Sequence, residues 1–152
     1  MTTTDDRAAL SGLDALRRFQ RAQDADSPNI GRLMGMTFDE LEEGRVVMSL
    51  RTRPDFTNPI GTVHGGIAAT LLDSVMGCAV HSALGPGVGY TTLELSVNYI
   101  RATSTDDRLL TGEGKVVHVG RTTATAEGRI VDEKGRLIAH GTTTCMVFPA
   151  AR

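Results

Sequence analysis

The chain has 152 residues, 40% of them hydrophobic and 22% charged, which suits one globular domain with a sizeable core and leaves no room for a second. Its net charge of -2 comes from interspersed acids and bases without a basic run, which argues against nucleic acid or an anionic membrane surface as a partner. No segment approaches about 18 uninterrupted apolar residues, and residues 1–20 lack a positive start followed by an apolar core, so a cytoplasmic protein is expected.

Residues 8–24 carry Leu10, Leu13, Leu16, Phe19 and Ala22 at spacings near three, with charges between them. This predicts a surface helix packed by one face, an N-terminal extension (1–27) to a single domain over 28–152. Residues 34–50 predict a short strand, an acidic turn at Glu42, Glu43 and Gly44, and a strand in which Val46, Met48 and Leu50 alternate with their neighbours. A long apolar helix follows, opened by His64, Gly65 and Gly66, and "LGPGVG" at 84–89 stops it. Four strand segments come next. Residues 91–102 place Leu93, Leu95, Val97 and Tyr99 on one face; 108–120 and 121–132 join near Gly120; "EKGR" at 133–136 turns the chain into 137–148. Such short connections favour antiparallel pairing. Cys78 and Cys145 belong to no CxxC pair and read as buried thiols. His81, His118 and His140 share no ligand spacing, so neither a metal nor an organic cofactor is expected.

The long helix is unusual in carrying one carboxylate, Asp73, near its middle. At about 100° per residue, Gly66, Ala69, Thr70, Met76, Gly77 and Val80 lie within about 60° of it, while Ala68, Leu71, Leu72, Val75, Cys78 and Ala79 lie opposite. A helix apolar around most of its circumference should be wrapped by other structure, and the small residues beside Asp73 leave space for a partner or ligand. An unsatisfied carboxylate there carries a desolvation cost, so it should be hydrogen-bonded, wet in a cleft, or used in chemistry. The Gly-Gly start exposes unpaired backbone N–H groups at the positive end of the helix dipole, where a carbonyl can be polarised. Asp73 lies about 12 Å further along at 1.5 Å per residue, too far to act on that carbonyl within one chain. Two antiparallel copies of the helix would bring them together.

The pattern N-x-x-G-x-x-HGG (Asn58, Gly61, His64, Gly65, Gly66), an acid seven residues later (Asp73), and about four antiparallel strands resembles the hotdog-fold acyl-CoA thioesterases, most closely the PaaI-like (phenylacetic acid degradation) group, over roughly residues 28–148. The resemblance implies an α+β hotdog fold, an antiparallel sheet wrapped around a long central helix, with sites at the interface of a homodimer and two dimers forming a tetramer. It implies that Gly65 N–H polarises the thioester carbonyl and that Asp73 of the neighbouring subunit is nucleophile or general base. Asn58 and His64 would orient the thioester or the water, and Thr92, with Thr91 one residue out of phase, would place water near the acid. CoA is then part of the substrate, and Gly66, Arg101, Gly120 and Arg121 are candidates to bind it.

Blander readings stand beside these: His64 as a helix cap, the glycines as packing residues, Asp73 as an interface carboxylate, Asn58 as a turn residue, and Arg101 and Arg121 as solvated surface. Met34, Met36, Phe56 and Met76 could line an acyl pocket or fill the core. Two other functions compete: a hotdog dehydratase or hydratase, which would need a catalytic His paired with its acid, and a non-catalytic acyl-CoA-binding module.

Overall fold

The computed structural model describes residues 10–22 and 27–150. Ser11 caps the first helix, α1 (Gly12–Arg21), by accepting from Asp14 N–H, so the predicted start at residue 8 falls outside both the helix and the described residues. Of its predicted stripe Leu16 is buried, while Phe19 stays 44% exposed. A second short helix, α2 (Ile30–Met34), was not anticipated. Its signals are present, however: Asn29 Oδ1 accepts from Arg32 N–H at the start, and Gly35 takes a left-handed φ of 69° at the end.

Strands β1 (Thr37–Glu42) and β2 (Arg45–Arg51) form a hairpin through Gly44, whose φ of 78° suits a residue without Cβ. A 3-10 turn, Pro54–Phe56, leads to the long helix α3 (Gly65–Ser82), followed by β3 (Val88–Tyr99), β4 (Leu109–Val119), β5 (Thr123–Val131) and β6 (Leu137–Pro149). All pairings are antiparallel, in the order β1-β2-β4-β5-β6-β3, and α3 touches every strand. This is the expected α+β architecture of a sheet wrapped around a central helix.

Glycine decides how deeply the helix sits. Gly114, Gly128 and Gly141 pair side by side across β4, β5 and β6, and a Cβ on Gly114 would lie 2.3 Å from the Val75 carbonyl oxygen, on Gly128 2.9 Å from Met76 Cγ. Gly114 thus admits helix backbone and Gly128 the Met76 and Leu72 side chains, a trough in which Leu71, Leu72, Val75, Met76, Ala79 and Val80 are sealed from solvent, whereas Gly141 makes room for the Ser96 carbonyl of β3.

The helical-wheel expectation holds for the apolar side with two corrections. Met76 and Val80, assigned to the Asp73 side, are fully buried, because the curled sheet covers more than half of the helix circumference. Cys78, placed opposite Asp73 as a buried thiol, is only half-buried, whereas Cys145 is buried as expected. In β2, Val47 is as enclosed as Val46 and Met48, since the strand is covered on both faces. Met34, Met36, Phe56 and Met76 all join the core.

Candidate active site

The first turn of α3 is organised around one peptide group. His64 is the N-cap, in an extended conformation (φ -60°, ψ 135°), and its Nδ1 accepts from Gly66 N–H at 2.8 Å. Accepting there requires a neutral ring with its proton on Nε2, which the exposed imidazole presents outward. Tyr99 Oη donates to the Gly65 carbonyl at 3.0 Å, and its ring stands 3.0–3.2 Å from where a Gly65 Cβ would lie. The Gly65–Gly66 peptide is thereby held from both sides. Gly65 N–H is left without an acceptor among the described residues. His64 is thus a cap, as the bland reading had it, next in sequence to a free amide.

Asp73 lies on the half-open side of α3, and Thr92 Oγ1 donates to its Oδ1 at 2.9 Å. Thr92 rather than Thr91 faces the acid because β3 is bulged. The register against β6 slips between Thr92 and Glu94, so Leu93 leaves the face of Leu95 and Val97 and becomes 58% exposed. The expected face of Leu93, Leu95, Val97 and Tyr99 therefore breaks at its first member, and Thr92 and Tyr90 take the inner phase. Tyr90 covers Gly77, one turn beyond Asp73, and packs against His81 with ring centroids 5.3 Å apart and the planes tilted by 40°. Burial, then the Asp73 charge, pushes the Cys78 thiol up to about 12, and burial also raises Cys145 and the Tyr90 phenol and lowers His81. The thiols stay protonated near neutrality, which removes them as nucleophiles.

The other predicted residues divide between these two places. Asn58 is consumed by its own loop: Oδ1 accepts from Ile60 and Thr62 N–H, and the amide donates to Thr62 Oγ1 at 2.9 Å. The amide of Gly66 is spent on the His64 cap. Arg101 lines a cavity of about 260 Å³ together with His64, Gly65 and Tyr99. Gly120 closes the β4–β5 hairpin by donating to the Thr123 carbonyl at 2.8 Å, and exposed Arg121 follows it. That hairpin belongs to the Asp73 end of the molecule. Thr92 pairs with Cys145, which pairs with Ala124, whereas Tyr99 pairs with Ala139 and through it with Ile130. Within one chain, then, Gly65 and Arg101 share one end, and Asp73, Thr92 and Arg121 the other. Tyr99 was missed in the sequence; an aromatic two residues before Arg101 was its only local sign. Among the described residues no group of three or more His, Cys, Asp or Glu could hold a metal ion, and no helix is long and apolar enough to cross a membrane.

Residues 60–139 match the thioesterase superfamily. Human acyl-coenzyme A thioesterase 13 is 30% identical over 123 residues, 76% of this chain and 83% of that protein. Among solved structures, a hypothetical thioesterase of Streptococcus pneumoniae with coenzyme A is 32% identical, with a TM-score of 0.70 over 77% of this chain and 88% of that one. A phenylacetic acid degradation-related protein from Ralstonia eutropha is 27% identical, with a TM-score of 0.76 over 86% of this chain and 97% of that one. The chain belongs to the thioesterase superfamily, and that membership makes it a thioester hydrolase with the hotdog fold and PaaI-like character.

Proposed function

We propose that the protein hydrolyses acyl-CoA thioesters at sites shared between two subunits. The observation that carries this reading is the division of labour along α3: a free Gly65 N–H at its start and a Thr92-bound carboxylate two turns later, about 12 Å apart by helix rise. The thioester carbonyl accepts from Gly65 N–H of one subunit, with His64 Nε2–H beside it, and negative charge grows on that oxygen as the carbonyl is attacked. Asp73 of the second subunit supplies the attack, either directly, giving an anhydride that water opens, or by taking a proton from water. Thr92 fixes the carboxylate and leaves Oδ2 turned to the substrate. Both routes end in a free acid and the CoA thiol.

The same division supports a pair of CoA contacts. Arg101 belongs with the Gly65 half, and Arg121 arrives with the Asp73 of the other subunit, so that two cations from different chains meet the phosphorylated end. A homodimer is the smallest active unit, and a tetramer of two such dimers is the assembly we expect.

Mixing tests the reading. Asp73→Asn and Gly65→Pro chains, each inactive alone, should regain free-thiol release on subunit exchange, because one site of each mixed dimer receives an intact Gly65 and an intact Asp73. Sedimentation that shows exchange without recovered activity would overturn the shared site.

A further inference from the structure

We infer that Tyr90 is a positioning residue for hydrolysis: its hydroxyl holds the attacking water against Asp73 of the same subunit. The inference rests on the acyl-CoA reading above and assigns a holder to the water that both of its routes consume. Three observations carry it. The first is phase. Inner-face positions of a strand recur about every 6.6 Å and helix turns about every 5.4 Å, so the bulge that brings Thr92 onto Asp73 also lays Tyr90 over Gly77, one turn further along the same side of α3. The second is reach. Tyr90 Oη stands 3.3 Å from where a Gly77 Cβ would lie, and Cβ positions four apart on a helix are about 5–6 Å from each other, so one bridging water spans phenol and carboxylate. The third is unused bonding capacity. Tyr90 Oη makes no hydrogen bond with any described residue, yet it is not sealed: among the described residues the one buried side-chain oxygen or nitrogen without a partner is Thr103 Oγ1.

Asp73 has one oxygen committed to Thr92 and the other open, so carboxylate and phenol together offer a water the two polar partners it needs. The ring that carries the hydroxyl is fixed: Gly77 admits it on the helix and His81 packs against it. Burial keeps the phenol protonated near neutrality, so it donates throughout. The water accepts from Tyr90 Oη and donates to Asp73 Oδ2, which leaves one lone pair for the acyl carbon. In the general-base route that carbon is the thioester's. The new C–O bond forms as a water proton passes to Asp73, the C–S bond breaks, and the sulfur leaves with the electron pair and is protonated as the CoA thiol. In the anhydride route the water that Tyr90 holds adds to the acyl carbon of the anhydride, expels the Asp73 carboxylate and gives up a proton to solvent.

The experiment deletes the hydroxyl and keeps the ring. In Tyr90→Phe, steady-state kcat for acetyl-, hexanoyl- and phenylacetyl-CoA should fall by about tenfold, the worth of one hydrogen bond, while KM and Tm hold. Hydroxylamine supplies a readout that loosened packing would not move. It is a nucleophile that needs no water holder, so the ratio of hydroxamate to free acid should rise by a similar factor in Tyr90→Phe, whereas general disorder would lower both products together. Gly77→Ala covers the case in which Tyr90→Phe does not fold. Its Cβ would meet the Tyr90 ring at 3.2 Å and displace the hydroxyl, so kcat should fall by about threefold in the wild-type background and not at all in Tyr90→Phe. Wild-type kcat in either folded single variant, additive losses in the double variant, an unchanged hydroxamate ratio, or a Tyr90→Phe chain that sediments as a monomer would overturn the role and leave hydrolysis standing. Wild type that releases thiol from no acyl-CoA would overturn the functional reading, and this role with it.

Discussion

The start and the middle of α3 solve opposite problems. At the start the useful group is a backbone amide, and everything around it works to leave it bare: glycine removes the side chain, His64 occupies the next amide, and Tyr99 holds the following carbonyl. In the middle the useful group is a side chain, and the surroundings work to hold it: β3 bulges to bring Thr92 onto Asp73, and the glycine trough sinks the opposite face of the helix. An amide needs access and a carboxylate needs a partner. One helix supplies both only by placing them too far apart for a single chain, which makes assembly part of the chemistry.

The largest expected effect tests the middle. Asp73→Asn keeps the shape and can still accept from Thr92, but it is a poor base and nucleophile, so turnover should fall by about 10²- to 10⁴-fold with the fold intact. Near-wild-type kcat in a folded variant would remove Asp73 from the reaction. The start can be broken almost as cleanly. Gly65 is the first helical position after an extended His64, a place where proline fits both the helix and the residue before it, so Gly65→Pro deletes one N–H donor and asks only that the exposed Tyr99 ring shift. We expect kcat to fall by about 10²- to 10³-fold with little loss of Tm, and unchanged kcat would sink the oxyanion role.

A smaller effect separates the two threonines. Thr92→Val should cost about tenfold in kcat, the worth of one hydrogen bond to a charged group, while Thr91→Val, on the exposed face, should cost nothing; equal losses would mean that the bulge does not set the phase. The smallest concerns the far end of the helix. Burial holds His81 below its ordinary value of 6.5, so the unfolded chain takes up the proton first as pH falls. Its contribution to stability is complete above about pH 6.5 and is lost as pH drops through the lower folded value. Tm measured between pH 7.5 and 5 should decline, and His81→Gln should flatten that slope; an identical slope in the variant would clear His81.

What the sequence by itself determined is what neighbours in the chain determine. The helix and its N-terminal glycines, Asp73 among small residues, and the strands with their turns were legible because helix periodicity, capping and tight turns depend on residues a few positions apart. The 12 Å between Gly65 and Asp73 followed from helix rise alone, and with it the need for a second copy in the proposed chemistry. The tertiary structure decided the rest. Alternation counted back from Leu95 and Val97 would have pointed Thr91 inward, and only pairing against β6 shows the extra residue that hands the place to Thr92. Tyr99 meets Gly65 across 34 positions, and Ala68, Leu110 and Ile138 come together from three elements to floor one cavity. Arg101 and Arg121 looked equivalent as isolated cations, yet strand register sends them to opposite ends of the chain. Contacts of that kind are set by how the sheet curls around the helix, a property of the whole packed chain that no local stretch encodes.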